Sequence, residues 1–129
     1  MRILIVDDNF VSRKLLKTIL DDLGVCDLAE SGEEALDLFT QAHATQNPYS
    51  VICLDQMMPG MSGQDVLESI RGFESENKID FTAGAKILMV TADDQKKSIL
   101  SSFRKGVAAY IIKPIERKKV TDAIANLNL

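Results

Sequence analysis

Acidic, hydroxyl and amino side chains follow four short apolar segments of the sequence. Asp7-Asp8 follows Ile3–Val6, Asp55 follows Val51–Leu54, Thr91 follows Ile87–Val90, and Lys113 follows Ala109–Ile112. Segments of this length, rich in Val, Ile and Leu, are typical of strands buried on both faces of a parallel sheet. The carboxyl ends of such strands meet at one edge, where these sheets bind ligands. Three carboxylates, a hydroxyl and an ammonium group are therefore expected to lie together.

This set of groups is suited to phosphoryl chemistry with a divalent cation. Three close carboxylates repel one another, and a cation relieves that repulsion. Mg2+ suits the position because it takes oxygen ligands and binds through one or two carboxylates plus a phosphate. Lys113 would add positive charge for the phosphate and Thr91 a hydroxyl. Asp55 could then accept a phosphoryl group as an aspartyl phosphate. The alternative is that four strand ends carry unrelated polar residues by chance.

Helical patterns separate the apolar segments and define the fold that must position these groups. A fifth strand is predicted at Val25–Leu28, and helical spacing of apolar residues follows each strand. Ser31 and Glu34 predict a capping box at the start of the second helix, and Gly106 predicts the end of the fourth. Glu74–Lys86 is the most irregular stretch and is predicted to be a long surface loop.

Strands that alternate with helices predict an α/β fold with a five-stranded, doubly wound parallel sheet. The strand order 2-1-3-4-5 places the reversal of winding between strands 1 and 3, beside Asp7, Asp8 and Asp55. At 129 residues the chain has the length of one domain, so residues 1–129 are expected to form a single domain.

Several segments resemble the receiver domain of response regulators, the phosphorylation switches of two-component signalling. Asp7-Asp8 resembles the acidic pair of that family, and the stretch from Asp55 to Gly63, DQMMPGMSG, resembles its phosphoacceptor loop. Thr91-Ala92 and the segment Tyr110–Pro114, YIIKP, resemble its switch threonine and lysine–proline segments. The resemblance extends over essentially the whole chain and implies a flavodoxin-like receiver fold of the single-domain, chemotaxis-regulator type.

The resemblance implies a role for each of these positions. Asp55 would be the phosphoacceptor, and Mg2+ would be bound by Asp8, Asp55 and the main-chain carbonyl of Met57, with Asp7 acting directly or through water. Lys113, the Thr91 hydroxyl and the N–H groups of Met57 and Ala92 would hold the phosphate. Thr91 and Tyr110 would move on phosphorylation, and the Lys113–Pro114 peptide bond would be cis. Such a protein is no enzyme beyond promoting its own phosphoryl transfer and hydrolysis.

The implied partners are proteins. A histidine kinase or phosphotransfer protein would donate the phosphoryl group, and Phe10, Val11, Arg13, Lys14 and Lys17 on the first helix are expected to contact it. Residues 1–94 contain 7 Lys and Arg against 17 Asp and Glu, whereas residues 95–129 contain 8 against 2. This basic region is either a solvated surface or a binding face. Such a face is expected at residues 96–119 and would contact a downstream target or a second copy of the domain. No zinc-finger, RNP or basic-zipper pattern accompanies it, which disfavours direct binding of nucleic acid.

The composition indicates a cytoplasmic protein. No apolar stretch approaches the roughly 20 residues of a membrane span, and the amino terminus lacks the pattern of a signal peptide. The position of Met1 directly before the first strand favours a free-standing regulator over a domain of a larger protein, and both remain open. Cys26 and Cys53 are expected to be buried, unreactive thiols rather than a disulfide. His43 is expected to be a solvated bystander rather than a phosphocarrier.

Three other functions remain to be weighed. A phosphatase or phosphotransferase with an aspartyl nucleophile would carry Asp-x-Asp after the first strand, where this chain has Asp7-Asp8-Asn9. A flavin-binding protein of the same fold would carry a phosphate loop rich in Ser, Thr and Gly there. A receiver-like domain used only for docking would lack part of the site, and every acidic and basic member is present here.

Overall fold

The computed structural model describes residues 1–80 and 82–127. Within these ranges strands and helices alternate. In chain order they are β1 Arg2–Val6, α1 Phe10–Leu20, β2 Val25–Ala29, α2 Gly32–Ala44, β3 Val51–Asp55, α3 Gly63–Glu76, β4 Lys86–Thr91, α4 Lys96–Arg104, β5 Ala109–Ile112 and α5 Arg117–Ala125. No helix in the described ranges is long and apolar enough to cross a membrane.

The five strands form one parallel sheet in the order β2-β1-β3-β4-β5. Val6 at the end of β1 pairs with Leu54, and Asp55 at the end of β3 pairs with Val90. This register aligns the carboxyl ends of the three central strands at one edge of the sheet. The predicted fold class and strand order, those of a flavodoxin-like receiver fold, are confirmed.

Two apolar cores cover the sheet, one on each face, because successive side chains of a strand point to opposite faces. Leu4 and Ile52 pack with residues of α2 and α3, including Phe39 and Leu67. The residues next to them in the strands face the other way, toward α1 and α5. Burial of each large aliphatic side chain contributes about 1.5–3 kcal/mol relative to exposure. The central strands therefore have the two buried faces that the sequence predicted.

Strand β2 departs from that prediction. Its residues are exposed or half-buried except for Ala29, and Val25 is 67% exposed. The cause is its position at the edge of the sheet, where only β1 pairs with it. An apolar run of this length therefore does not distinguish an edge strand from a central one.

The helix ends agree with the sequence in part. At α2 the Ser31 side chain accepts a hydrogen bond from the Glu34 N–H at 3.2 Å, which is only half of the predicted capping box. The complete box lies at α3, where Ser62 and Asp65 exchange bonds of 3.0 and 3.2 Å. The predicted stop at Gly106 is confirmed, since α4 ends just before it and its φ is +102°.

The predicted loop Glu74–Lys86 is shorter than expected, because α3 continues to Glu76 and β4 begins at Lys86. Residue 81 of that stretch lies outside the described residues. Glu74 is buried, and its carboxylate accepts a hydrogen bond from the Ala85 N–H at 2.8 Å. It also pairs with Arg71, which stabilises a charge that would otherwise be costly to bury. The Ala85 N–H lies 11 residues from Glu74, so this hydrogen bond could not be predicted from the local sequence pattern.

Candidate functional site

Asp7, Asp8 and Asp55 converge at the carboxyl edge of the sheet. Asp7 and Asp8 follow β1, and Asp55 is the last residue of β3. One carboxylate oxygen from each of the three residues lies within 4.8 Å of the other two. Asp7 is completely buried, Asp55 is buried, and Asp8 is exposed to solvent. The three carboxylates thus form one acidic cluster that is closed on one side and open on the other.

Lys113 brings a positive charge to this cluster from the end of β5. Its Nζ lies 3.6 Å from Oδ1 of Asp55 and 3.9 Å from Oδ2 of Asp7. The residue is held after β5 by its main-chain N–H, which donates to the Thr91 carbonyl oxygen at 2.7 Å. The Lys113–Pro114 peptide bond is cis, as the family resemblance implied. One ammonium group therefore stands against two buried carboxylates.

The charges in the cluster are not balanced by the side chains alone. Burial, followed by the negative charge of Asp7, raises the pKa of Asp55 to about 6, although Lys113 and the Met57 N–H favour the ionised form. Oδ2 of Asp7 is buried and has no hydrogen-bond partner among residues 1–80 and 82–127. Oxygen donors with excess negative charge are the ligands that a hard divalent cation such as Mg2+ takes. The residues present fit that ion.

The loop after Asp55 is held close to the Asp55 carboxylate. The Met57 N–H donates to Oδ1 of Asp55 at 3.3 Å, while the Met57 side chain is 75% exposed. The Gly63 N–H closes the loop by donating to the Gln56 carbonyl at 3.0 Å. A Cβ at Gly63 would stand 2.3 Å from the Asp55 carbonyl oxygen, so this approach requires glycine.

Thr91 and Tyr110 are linked through Asp93. Thr91 ends β4 and is buried, and its hydroxyl accepts a hydrogen bond from the Asp93 N–H at 3.1 Å. The Tyr110 hydroxyl donates to the Asp93 carbonyl oxygen at 3.0 Å. Ala92, which follows Thr91, is exposed. The hydroxyl of Thr91 and the ring of Tyr110 are thus connected by the first residues of the loop that leads to α4.

Arg13 belongs to the surroundings of the site and was not recognised there from the sequence. It is buried on α1, and its Nη1 donates to the main-chain carbonyl of Asp7 at 2.8 Å. A signal was present, because Arg13 shares a helical face with Leu16 and Leu20, both buried. A charged residue within an apolar helical stripe indicates a specific buried partner.

His43 and the two cysteines lie outside the acidic cluster. The His43 ring packs against Phe39 with ring centroids 4.8 Å apart. Both cysteines are free, which confirms that no disulfide joins them. Burial raises the pKa of Cys53 to about 12 and that of the half-buried Cys26 to about 11. The prediction of a buried thiol is therefore right for Cys53 and only partly right for Cys26.

Comparisons with known proteins place this chain and its fold in one family. Residues 3–125 match the model of the response regulator receiver domain. The chemotaxis protein CheY of Pseudomonas aeruginosa is 31% identical over 129 residues, which cover 98% of this chain and 95% of that protein. A probable histidine kinase of Oryza sativa is 30% identical to this chain, which covers only 12% of that longer protein.

Two solved structures resemble the whole chain. CheY in the CheX–CheY–BeF3–Mg2+ complex of Borrelia burgdorferi has a TM-score of 0.85 and 27% identity, covering 100% of this chain and 90% of that one. The response regulator TrrA of Thermotoga maritima, in complex with Mg2+ and BeF, has a TM-score of 0.75 and 35% identity. Its alignment covers 98% of this chain and 97% of that one.

The match over residues 3–125 places this fold in a class of domains that serve phosphorylation-dependent signalling in two-component systems. This chain belongs to the response regulator receiver domain family. More particularly, it is a receiver domain of the CheY type. Domains of this family are signalling switches rather than classical enzymes.

Proposed function

We propose that this chain is a phosphorylation switch in which Asp55 accepts a phosphoryl group from a histidine kinase or a phosphotransfer protein. The observation that carries the proposal is the position of Asp55 between two other carboxylates and the Lys113 ammonium group. A carboxylate oxygen of Asp55 forms the new O–P bond, and the P–N bond of the donor phosphohistidine breaks. The electron pair of that bond returns to the imidazole ring.

Asp7, Asp8, Asp55 and the Met57 carbonyl oxygen would hold Mg2+ in this proposal. When bound, the ion would supply positive charge that offsets repulsion between the carboxylates and the phosphoryl oxygens. Oδ2 of Asp7 supports this assignment, because it is buried, accepts no hydrogen bond and has only the Lys113 ammonium group 3.9 Å away. The exposed side of the cluster, at Asp8, leaves a path for ion and donor.

The chain's own residues then bind and orient the phosphoryl group. Lys113 already lies 3.6 Å from Asp55 Oδ1, so its ammonium group would contact a phosphoryl oxygen attached there. The N–H groups of Met57 and Ala92 and the Thr91 hydroxyl would donate to the remaining oxygens. A movement of the Thr91 hydroxyl toward the phosphoryl group would lengthen its bond from the Asp93 N–H and would also affect the bond from Tyr110 to Asp93. Phosphorylation would thereby shift the population of two arrangements of this loop.

The output of the switch would be a contact through residues 96–119, with a downstream protein target or a second copy of the domain. A cavity of about 670 Å3, lined by Phe103, Tyr110 and Leu127 among others, opens on this face. Leu100 is 49% exposed there. An apolar centre surrounded by the basic residues of α4 and α5 suits an acidic, amphipathic partner. Residues 1–129 would act as a single receiver domain.

The proposal is tested by labelling with acetyl phosphate in the presence of Mg2+. The protein is expected to gain one phosphoryl group in intact-mass spectrometry, and Asp55→Asn is expected to gain none. Asp65→Asn is a matched control, since Asp65 is exposed, caps α3 and does not belong to the acidic cluster. Labelling of the Asp55→Asn variant would contradict the assignment of the acceptor. Addition of EDTA is expected to abolish labelling of the native protein.

A further inference from the structure

A polar cavity lies between α3 and α4, beside the loop that follows β3. Its volume is about 260 Å3, and none of Asp7, Asp8, Asp55 or Lys113 lines it. One wall is a stripe of α4, consisting of Lys97, Ser98, Ser101, Ser102 and Lys105. Gln56 and Gln64 form the opposite side. We refer to it as the α3–α4 cavity.

The stripe of α4 is polar throughout, although it runs from the exposed Lys97 and Lys105 to the buried Ser102. Its residues are spaced by one, three, one and three positions, which places them on one side of the helix. A helix that packs on a core normally presents apolar side chains on that side. In α4 the buried residue is instead Ser102, 2% exposed. The side of α4 that faces the cavity is therefore built for polar contacts rather than for packing.

The charges around the cavity are unbalanced. No carboxylate lines it, so its side chains contribute two positive charges and no negative one. Within residues 1–80 and 82–127, Lys97 and Lys105 form no ion pair, whereas Lys118 and Lys119 on α5 pair with Asp122 and Glu116. Two free ammonium groups on one wall of a cavity attract an anion.

The opposite wall adds an unpaired donor. The side-chain nitrogen of Gln64 is buried, and no hydrogen-bond partner for it exists in the described part of the chain. A buried N–H group without an acceptor is costly, and an anion in the cavity would remove that cost. The Ser101 hydroxyl can donate to the same ligand, whereas the Ser98 hydroxyl already bonds to the Asp93 carboxylate.

We propose that the α3–α4 cavity binds a small oxyanion of the phosphate class. Its lining supplies ammonium, hydroxyl and amide donors, which a phosphate with several acceptor oxygens can use together. At about 260 Å3 the cavity falls below the roughly 300–1,000 Å3 of typical organic ligand sites, so it admits a phosphate group rather than a peptide segment. Free phosphate and the terminal phosphate of a larger molecule share this chemistry.

Occupation of the cavity would act on the loop beside Asp55. Gln56 lines the cavity and directly follows Asp55, and its side-chain oxygen lies 3.4 Å from the Tyr110 hydroxyl. An anion held between Gln64 and Lys97 would also join α3 to α4. The site would thus connect a ligand from solution to the residues around Tyr110.

The proposal is tested by titrating the 15N-labelled protein with inorganic phosphate, and separately with ATP, in EDTA buffer at constant ionic strength. Omitting Mg2+ and any phosphodonor makes the result independent of phosphorylation at Asp55. The amide signals of Gln64, Ser98 and Ser101 are expected to shift in a saturable manner. Tighter binding of ATP than of phosphate would identify a terminal phosphate as the ligand, and equal binding would identify free phosphate.

Matched variants separate this cavity from general attraction to a basic helix. Lys97→Gln with Lys105→Gln is expected to weaken binding at least about tenfold, because two charge-assisted hydrogen bonds are lost. Lys96→Gln with Arg104→Gln removes the same charge from α4 outside the cavity and should change affinity less than about twofold. Gln64→Met should weaken binding while the rest of the spectrum is preserved. Equal losses in the two double variants, or shifts confined to Thr91, Ala92 and Lys113, would overturn the proposal.

Discussion

Arg13 Nη1 donates a hydrogen bond to the main-chain carbonyl of Asp7 at 2.8 Å, which ties α1 to the first residue of the acidic cluster. The second nitrogen of the same guanidinium group, Nη2, lies 3.2 Å from Oε1 of Glu30, just after β2. Arg13 is buried, while Glu30 is largely exposed. The guanidinium group that holds the Asp7 carbonyl is therefore itself fixed by a residue just after the end of β2.

Arg13→Met is expected to lower the affinity for Mg2+ about tenfold, because groups that hold metal ligands in place typically contribute that much. Arg13→Lys can still donate one hydrogen bond to the Asp7 carbonyl and should recover part of the loss. The measurement is calorimetric titration with Mg2+, alongside the urea midpoint of each variant. An unchanged Mg2+ affinity in Arg13→Met would show that Arg13 only stabilises the fold.

Gly63→Ala is expected to destabilise the protein by about 1–3 kcal/mol, as overpacking does in a close-packed site. The new methyl group would stand 2.3 Å from the Asp55 carbonyl oxygen and 2.8 Å from Cα of Gln56. Gly72→Ala is the matched control in the same helix, since nothing lies within 4 Å of its added Cβ. That control should stabilise α3 by about 0.5–1 kcal/mol. Urea unfolding checks both, and equal stability of the two variants would contradict the close approach.

Val11→Asp is expected to slow phosphoryl transfer from the kinase about tenfold while leaving labelling by acetyl phosphate nearly unchanged. Val11 is 70% exposed at the start of α1, next to the acidic cluster, so it can contact the donor protein without supporting the core. Val25→Asp is the control, because Val25 is 67% exposed at the opposite end of the sheet. Transfer rates are measured with each donor. Equal losses with both donors would indicate damage to the site instead of a lost docking contact.

Lys96→Glu with Lys118→Glu is expected to weaken target binding or self-association of the phosphorylated protein, without changing labelling by acetyl phosphate. Both side chains are exposed on α4 and α5. The effect should shrink at high salt, because screening shortens electrostatic reach from about 8 Å at 0.15 M to about 3 Å at 1 M. Sedimentation velocity and pull-down measure it, with Lys14→Glu plus Lys78→Glu as a control of equal charge. Undiminished binding would mean that the basic region is a solvated surface.

Cys26 and Cys53 are expected to react very slowly with iodoacetamide in the native protein at pH 7.5. The thiolate is the reactive form, and with a pKa of about 11 fewer than about one Cys26 side chain in a thousand is ionised at that pH. Unfolding in urea should expose both thiols and restore ordinary rates. Labelling followed by mass spectrometry checks this, and rapid modification of native Cys53 would contradict its burial.

The local order of residues was sufficient to place the acidic cluster. Each group that forms it follows an apolar run, and parallel strands bring their carboxyl ends to one edge whatever the details of packing. The sequence alone was therefore enough to group Asp7, Asp55 and Lys113 in one site. Sequence also identified the end of α4, because Gly106 takes a positive φ that other residues adopt at a cost.

Relationships between distant residues were decided only by the tertiary structure. The bond from Arg13 to Asp7, the bond from the Ala85 N–H to the buried Glu74, and the α3–α4 cavity each depend on how two segments pack together. Local periodicity carries no information about which partner a buried charge meets.

The exposure of β2 shows the same difference between what the sequence determines and what the tertiary structure decides. An apolar run such as that of Val25 satisfies the pattern of a central strand, yet the position at the edge leaves one side of β2 without a neighbour. Sequence determined that this segment is a strand, because β-branched and apolar residues favour extended backbone. Only the order of strands in the folded sheet decided how much of it faces water, since burial is a property of neighbours brought together by the whole chain.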